Sequence, residues 1–348
     1  MKKFVGVFVF AGIIVAFFAC ASANGSNRAL SDREPSGRIV IYTSIYRDVI
    51  ESLDGALKSQ FPNASVEFVY GGTGQIQSKI AAERAAGRLG CDILLVAEPS
   101  YSLELKKGGM LHPFTSEVAD VLAFDFDESG YWYPVRISNM VLAFNPEKYD
   151  RNSLPNSFYD FANAPSVRGA IAMSNPLISG TTKAAITALL DRYGYGFFES
   201  LGRQNVAIES GALALSRLES GEHKMIMVLE ESVLRKRQEE KSKLEVIFPT
   251  DGTIIIPSTI MIVAEQWSAN RNIRSAEIVA DWFLGPEGQS AIVEGWMHSV
   301  RRNFPSDPFG SIPINHIMGN SMPFSWEKSF RDREEILFKF EELVIHGR

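Results

Sequence analysis

From Arg38 onward the chain alternates short apolar runs with stretches whose apolar residues recur every three to four positions. Ile39-Val40-Ile41-Tyr42 predicts a buried strand, and Val49, Leu53 and Leu57 then fall on one face of a helix. Ser65 to Tyr70 alternates as a strand, Gln75 to Arg84 reads as a helix, and Asp92 to Ala97 is another apolar strand. A second series starts near Ala170 with a strand over Ile171 to Ser174 and an apolar helix over Lys183 to Leu190. It continues with a helix over Ala212 to Leu218 and strands over Met225 to Leu229 and Leu244 to Phe248. Strand followed by helix, in two series, predicts an α/β fold of two lobes, each a mostly parallel sheet flanked by helices. Two extended apolar segments, Val135 to Phe144 and Ile254 to Val263, lie between the series and predict a two-segment hinge. Pro257 in the second suits a strand edge or a hinge, not the middle of a sheet. The expected division is 38–140 plus 258–348 as lobe I and 141–257 as lobe II, with the hinge near 135–144 and 254–263 and a ligand cleft between the lobes.

Ahead of these units stands a different pattern. Met1 to Ala19 has Lys2 and Lys3, an apolar run from Phe4 to Phe18, and a small residue before Cys20, the layout of an export signal. The run of about 15 residues is shorter than the roughly 20 a spanning helix needs. Phe17-Phe18-Ala19-Cys20 resembles a bacterial lipobox, with Phe17 where leucine is usual. This gives 1–19 as a signal peptide, Cys20 as a lipidated mature N-terminus and 20–37, with its Asn, Ser and Gly, as a flexible tether. Acyl chains would hold the protein to a membrane surface in the periplasm or cell envelope. Cleavage near Ala23 with simple secretion is the competing reading. With Cys20 lipidated, Cys91 stands alone and no internal disulfide forms.

Charge narrows the partners. The 348 residues carry 35 Lys plus Arg against 41 Asp plus Glu, a net −6 that loses two more positive charges when the signal leaves. Nucleic-acid binders show a basic excess, so nucleic acid is not an expected partner. The length exceeds the roughly 250 to 300 residues at which one core stops growing, which supports two lobes in a monomer.

Candidate chemistry gathers where strands should hand over to helices. Thr43 and Ser44 follow the first strand, Gly72, Thr73 and Gly74 follow the second, and Ser179, Gly180, Thr181 and Thr182 open the first long helix of lobe II. Free backbone N–H groups and the positive end of a helix dipole make such junctions anion sites without Lys or Arg, although the same residues are also ordinary N-caps. Glu209, before Ser210 and a helix, and Glu230, closing the run Met225 to Leu229, are carboxylates placed to read hydroxyls or an ammonium on the same ligand. Arg136, at the first crossing, offers a charge-assisted contact or an ion pair within the hinge. Trp132, with Tyr131 and Tyr133, lines a pocket or packs the hinge. The chain has no Gly-x-Ser-x-Gly elbow, no His-Glu-x-x-His and no Walker A loop, and its five histidines stand far apart, so catalysis, a cofactor and a metal centre are not expected.

Taken together, these residues resemble type 2 periplasmic binding proteins, the solute-binding components of ABC importers, in the branch of iron(III), phosphonate and sugar-phosphate binders. The resemblance runs from Arg38 to about Pro305 and is carried by Ile39 to Ser44, Gly90-Cys91-Asp92-Ile93, Ser179-Gly180-Thr181, Pro249-Thr250-Asp251-Gly252-Thr253 and Phe283 to Gln289. It implies a non-catalytic receptor that closes on a small oxyanion-bearing solute, a sugar phosphate or phosphonate, and delivers it to an ABC permease and its ATPase. Iron(III) is the alternative solute. Iron binders of this branch use a pair of adjacent tyrosines near where Glu230-Glu231-Ser232 stands, and this chain has no such pair.

Overall fold

Apolar runs become central strands and the periodic stretches become helices laid on them. The computed structural model describes residues 34–323 and 325–347, so the expected signal peptide, Cys20 and most of the expected tether lie outside the described residues. The strands are β1 (Gly37–Thr43), β2 (Ala64–Tyr70), β3 (Ile93–Ala97), β4 (Leu111–His112), β5 (Tyr133–Phe144), β6 (Ile171–Ser174), β7 (Ala207–Glu209), β8 (Met225–Leu229), β9 (Glu245–Ile247) and β10 (Ile254–Val263). The helices used below are α1 (Arg47–Gln60), α2 (Thr73–Ala85), α3 (Pro99–Lys107), α4 (Phe158–Asn163), α5 (Gly180–Tyr193), α6 (Tyr195–Arg203), α7 (Gly211–Ser220), α8 (Glu230–Glu239), α9 (Ile273–Leu284), α10 (Pro286–Glu294), α11 (Ile314–Gly319) and α12 (Trp326–Phe340). Val49, Leu53 and Leu57 are the buried residues of α1, the face their spacing predicts. None of the described helices is long and apolar enough to cross a membrane.

One continuous sheet runs in the order β2-β1-β3-β10-β5-β8-β6-β7. The outer strands pair in parallel within each lobe, β2-β1-β3 in the first and β8-β6-β7 in the second. Between them β5 and β10 pair antiparallel to each other and to their flanks. Strand alternation sorts the side chains into separate cores. In the first lobe Ile39, Ile41, Ile93 and Leu95 face one core, while Val40, Tyr42, Leu94 and Val96 face another. In the second lobe Met225 and Met227 face one core, and Ile226 and Val228 the other.

The two long strands serve both lobes. On β5, Val135 and Ile137 enter a first-lobe core, and Met140, Leu142 and Phe144 a second-lobe core. On β10, Ile254 and Ile256 enter the second-lobe core, and Ile260 and Ile262 the first. The four β10 residues share one face of the strand, and the register irregularity between Ser258 and Thr259 leaves Val135 of β5 as an extra residue in the pairing. Pro257 therefore lies inside the sheet rather than at its edge, paired with Ile137. It is tolerated because β3 ends at that level, with Ala97 opposite Ser258, so no strand waits on that side for the missing N–H.

The end of the chain departs from the expected division. Met297 and Val300 belong to a first-lobe core, but Met322, Ile336, Phe340 and Val344 are buried in the second-lobe core. The chain thus crosses between lobes a third time, between Val300 and Met322, and α12 packs as a second-lobe helix instead of finishing lobe I. Sequence spacing hid this because the crossing contains turns and the six-residue helix α11 but no strand. Phe340 is fully buried with its ring edge-on to Phe198 at 5.3 Å. Phe340→Ala should cost about 3–5 kcal/mol in denaturant unfolding, as for a core aromatic; a cost below about 1 kcal/mol would show that α12 is merely draped over the lobe.

Candidate functional site

The carboxyl ends of β1, β2 and β3 face those of β6 and β8 across the β5–β10 crossing, and polar residues interrupt the apolar strands at that level. Arg136, Ser138, Asn139, Ser258 and Thr259 are all buried there. Arg136 Nη1 lies 3.8 Å from Glu231 Oε1 and 2.7 Å from Met297 Sδ, while Ser138 Oγ donates to Glu231 at 2.7 Å. Burial lowers the Arg136 pKa and raises that of Glu231, each against the pull of its partner. Tyr46 closes the group from the first lobe, its hydroxyl 2.9 Å from Ser232 Oγ, with a pKa raised by burial and then by Glu231. Several polar atoms here are buried without a hydrogen-bond partner: Arg136 Nε, Asn139 Oδ1 and Ser258 Oγ.

The hydroxyls expected from the sequence surround this floor. Thr43 Oγ1 accepts from the Ile45 N–H at 3.1 Å and Ser44 Oγ from the Ala97 N–H at 3.2 Å, which leaves each hydroxyl proton for another acceptor. Ser179 caps α5, its Oγ accepting from the Thr182 N–H at 3.2 Å and lying 3.2 Å from Thr181 Oγ1. Thr181 and Thr182 are buried. The α2 junction differs from expectation. Gly72 N–H donates to Gln75 Oε1 and Gly74 N–H to the Ile178 carbonyl at 3.2 Å, so both amides already have acceptors. That second bond joins the lobes. Gly180 lies so close to Thr73 that an added Cβ would meet its Cγ2 at 2.7 Å.

The two carboxylates expected to read the ligand have internal partners. Glu209 pairs with Arg217 and lies 3.3 Å from His223 Nε2, while Ser210 caps α7 by accepting from the Leu213 N–H. Glu230 accepts from Asn139 Nδ2 at 2.8 Å and from Ser311, with His298 Nε2 at 3.2 Å. Their oxygens are committed, because the helix starts after β7 and β8 turn them toward neighbouring segments. The sequence reading missed Glu231, one residue on, and Tyr46; the helical offset after Thr43-Ser44 was the only signal for the latter. It also missed Glu98 and Lys183, which pair across the lobes at 2.7 Å. They lie on the wall of a cavity of about 500 Å³ between α2, α3, α5 and α12. Trp132 is buried, belongs to a first-lobe core and lines a pocket with Pro99, Ile255 and Pro257. Among the described residues no cluster of His, Cys, Asp and Glu is placed to hold a metal ion. Cys91 is a buried free thiol.

A sequence model of the family described as bacterial extracellular solute-binding protein matches residues 91–312. Comparison with curated proteins returns no match. Among solved structures, iron-bound HitA from Pseudomonas aeruginosa is 20% identical with a TM-score of 0.76, over 88% of this chain and 99% of that one. AfuA from Actinobacillus pleuropneumoniae, with fructose-6-phosphate bound, is 20% identical with a TM-score of 0.76, over 89% and 99%. A ferric binding protein from Campylobacter jejuni is 16% identical with a TM-score of 0.72, over 88% and 99%. At these identities the likeness is one of fold.

A pH experiment tests the floor. The raised Glu231 pKa means that folding favours its protonated form, a contribution complete below the ordinary carboxylate range and lost as pH rises through the folded value. The melting temperature of the wild type minus that of Glu231→Gln should fall as pH rises from about 4 to about 7. A difference that does not change with pH would contradict the assigned burial.

Proposed function

Because the chain belongs to the bacterial extracellular solute-binding proteins, we propose that it captures a sugar phosphate or phosphonate between its lobes and delivers it to an ABC permease. The observation that carries this reading is Arg136 Nε and Ser258 Oγ, on cross-strand neighbours where β5 and β10 join the lobes, both buried without hydrogen bonds, with Asn139 Oδ1 likewise unpaired on the other face of β5. Unpaired buried polar atoms cost on the order of 1–3 kcal/mol each, so a fold that keeps the Arg136 and Ser258 atoms unpaired gains from a ligand that satisfies them. Arg136 supplies a fixed positive charge, and the hydroxyls of Thr43, Ser44, Thr73, Ser179 and Thr181, with the N-terminal amide of α5 at Gly180, supply neutral donors suited to an oxyanion, while the Thr182 hydroxyl donates to Ser179 Oγ and orients it. Glu231 balances Arg136, and Glu209, Ser210 and Glu230 act as local supports rather than ligand contacts.

Capture is a hinge closure about β5 and β10, with residues 38–140 and the segment from 258 to about 300 moving as one lobe and 141–257 with α12 as the other. The receptor is non-catalytic and monomeric, held to the membrane through lipidated Cys20 after removal of residues 1–19, and placed in the periplasm or cell envelope. Iron is the weaker reading. The HitA structure is iron-bound, but here the cleft tyrosine, Tyr46, is half-buried, and desolvation and then Glu231 raise its pKa, which holds the phenol in its protonated form and disfavours a ferric phenolate.

A thermal-shift screen across sugar phosphates, phosphonates, polyamines and ferric citrate tests the class. A phosphorylated compound at about a hundred times its dissociation constant should stabilise the protein by about 2.7 kcal/mol. Thr181→Val should then weaken that compound's binding by about 1–3 kcal/mol. Stabilisation by ferric citrate alone would reverse the ranking of solutes.

A further inference from the structure

The wall of the 500 Å³ cavity holds an ion pair that no ligand contact requires. Lys183 is the fourth residue of α5 in the second lobe, and Glu98 directly follows β3 in the first. Lys183 Nζ lies 2.7 Å from Glu98 Oε2, with the side chains 10% and 0% exposed. Glu98 is held at φ 93°, a conformation natural to glycine, so the surrounding structure dictates where its carboxylate goes. Neither of its oxygens sits in hydrogen-bond geometry, which leaves the Lys183 charge as its principal compensation. Burial raises the Glu98 pKa, while Lys183, and more weakly Arg333 and Gln77, pull it down. The same turn of α5 makes the other close contacts between lobes here, Gly180 on Thr73 and the Ile178 carbonyl on Gly74 N–H. A second pair, Arg333 of α12 with Glu104 of α3, crosses the mouth of the same cavity.

We propose that Glu98 and Lys183 are positioning residues, a latch that sets the closed register of the two lobes and so holds the Ser179–Thr182 hydroxyls opposite Thr43 and Ser44. This rests on the reading of two lobes that open and close. When the lobes part, both charges return to water; when they meet, each compensates the other's desolvation. Removing one partner therefore penalises the closed state and leaves the open state untouched, because only the closed state buries the survivor. Removing both relieves the penalty, so the two substitutions are non-additive.

Amide hydrogen exchange on the full chain, with no solute added, reads the latch. The reporter is residues 72–78, which contain the Gly74 N–H that donates to Ile178, and the controls are β3 and β8. Glu98→Gln and Lys183→Met should each speed exchange of 72–78 by about tenfold or more over the controls, because a buried charge left alone is a large penalty. Lys183→Arg, which keeps the charge, should stay within about threefold of wild type, and the double variant Glu98→Gln/Lys183→Met should exchange more slowly than either single variant. Unchanged exchange in 72–78, equal acceleration in β3 and β8, or multiplicative effects in the double variant would each overturn the latch. Failure of every phosphorylated compound in a thermal-shift screen would overturn the solute class and leave this readout unaffected.

Discussion

A guanidinium buried in the middle of a ten-stranded sheet governs the rest of this structure. Arg136 stands on β5 with its side chain 3% exposed, and a guanidinium cannot escape burial by losing its proton. Burying an ion costs several kcal/mol even after relaxation, so the fold must bring it a carboxylate. Glu231 is that group, delivered by the first turn of α8, where the helix dipole favours a negative charge. This in turn requires β8 to end beside β5, as the pairing of Leu229 with Met140 shows. The apolar cores stop on either side of the pair, and β10 serves both with residues of one face, Ile254 and Ile256 in one core and Ile260 and Ile262 in the other.

The same constraint explains why the lobes meet through polar groups. Helix starts at α2, α5 and α8 converge on the crossing, and each brings hydroxyls, amides or carboxylates in place of apolar side chains. These contacts between lobes are accordingly polar, bonds that water can replace: Tyr46 to Ser232, Gly74 to Ile178, Lys183 to Glu98 and Arg235 to Asp48. An apolar seam would hold the lobes shut. The third crossing adds a tie, since α12 is anchored in the second-lobe core yet reaches α3 of the first through Arg333 and Glu104.

Much of the fold was legible in the sequence because burial on both faces of a strand leaves an unbroken apolar run. Ile171 to Ser174, Met225 to Leu229 and Ile254 to Val263 begin and end in the structure where the sequence pattern places them. Of the edge and hinge positions expected for Pro257, the edge does not hold, because its tolerance inside the sheet depends on where a neighbouring strand stops, which no local pattern encodes. The third crossing escaped because its segment lacks periodicity. The site was legible only in part. Hydroxyls at helix starts announce themselves by position, whereas the partners of Glu209, Glu230 and Glu231 lie 8, 68 and 93 residues away along the chain. Adjacent glutamates at a helix start look alike in sequence, and only the fold turns Glu230 toward His298 and Glu231 toward Arg136.

The central claim is that the Arg136–Glu231 floor is kept for solute capture and not for stability. Replacing both groups at once tests it most directly, because removing a buried pair together strands neither charge. Arg136→Met/Glu231→Gln should unfold at the same or higher denaturant concentration than the wild type, while affinity for the solute that stabilises the wild type falls by about a hundredfold or more. A less stable double variant with unchanged affinity would contradict the account.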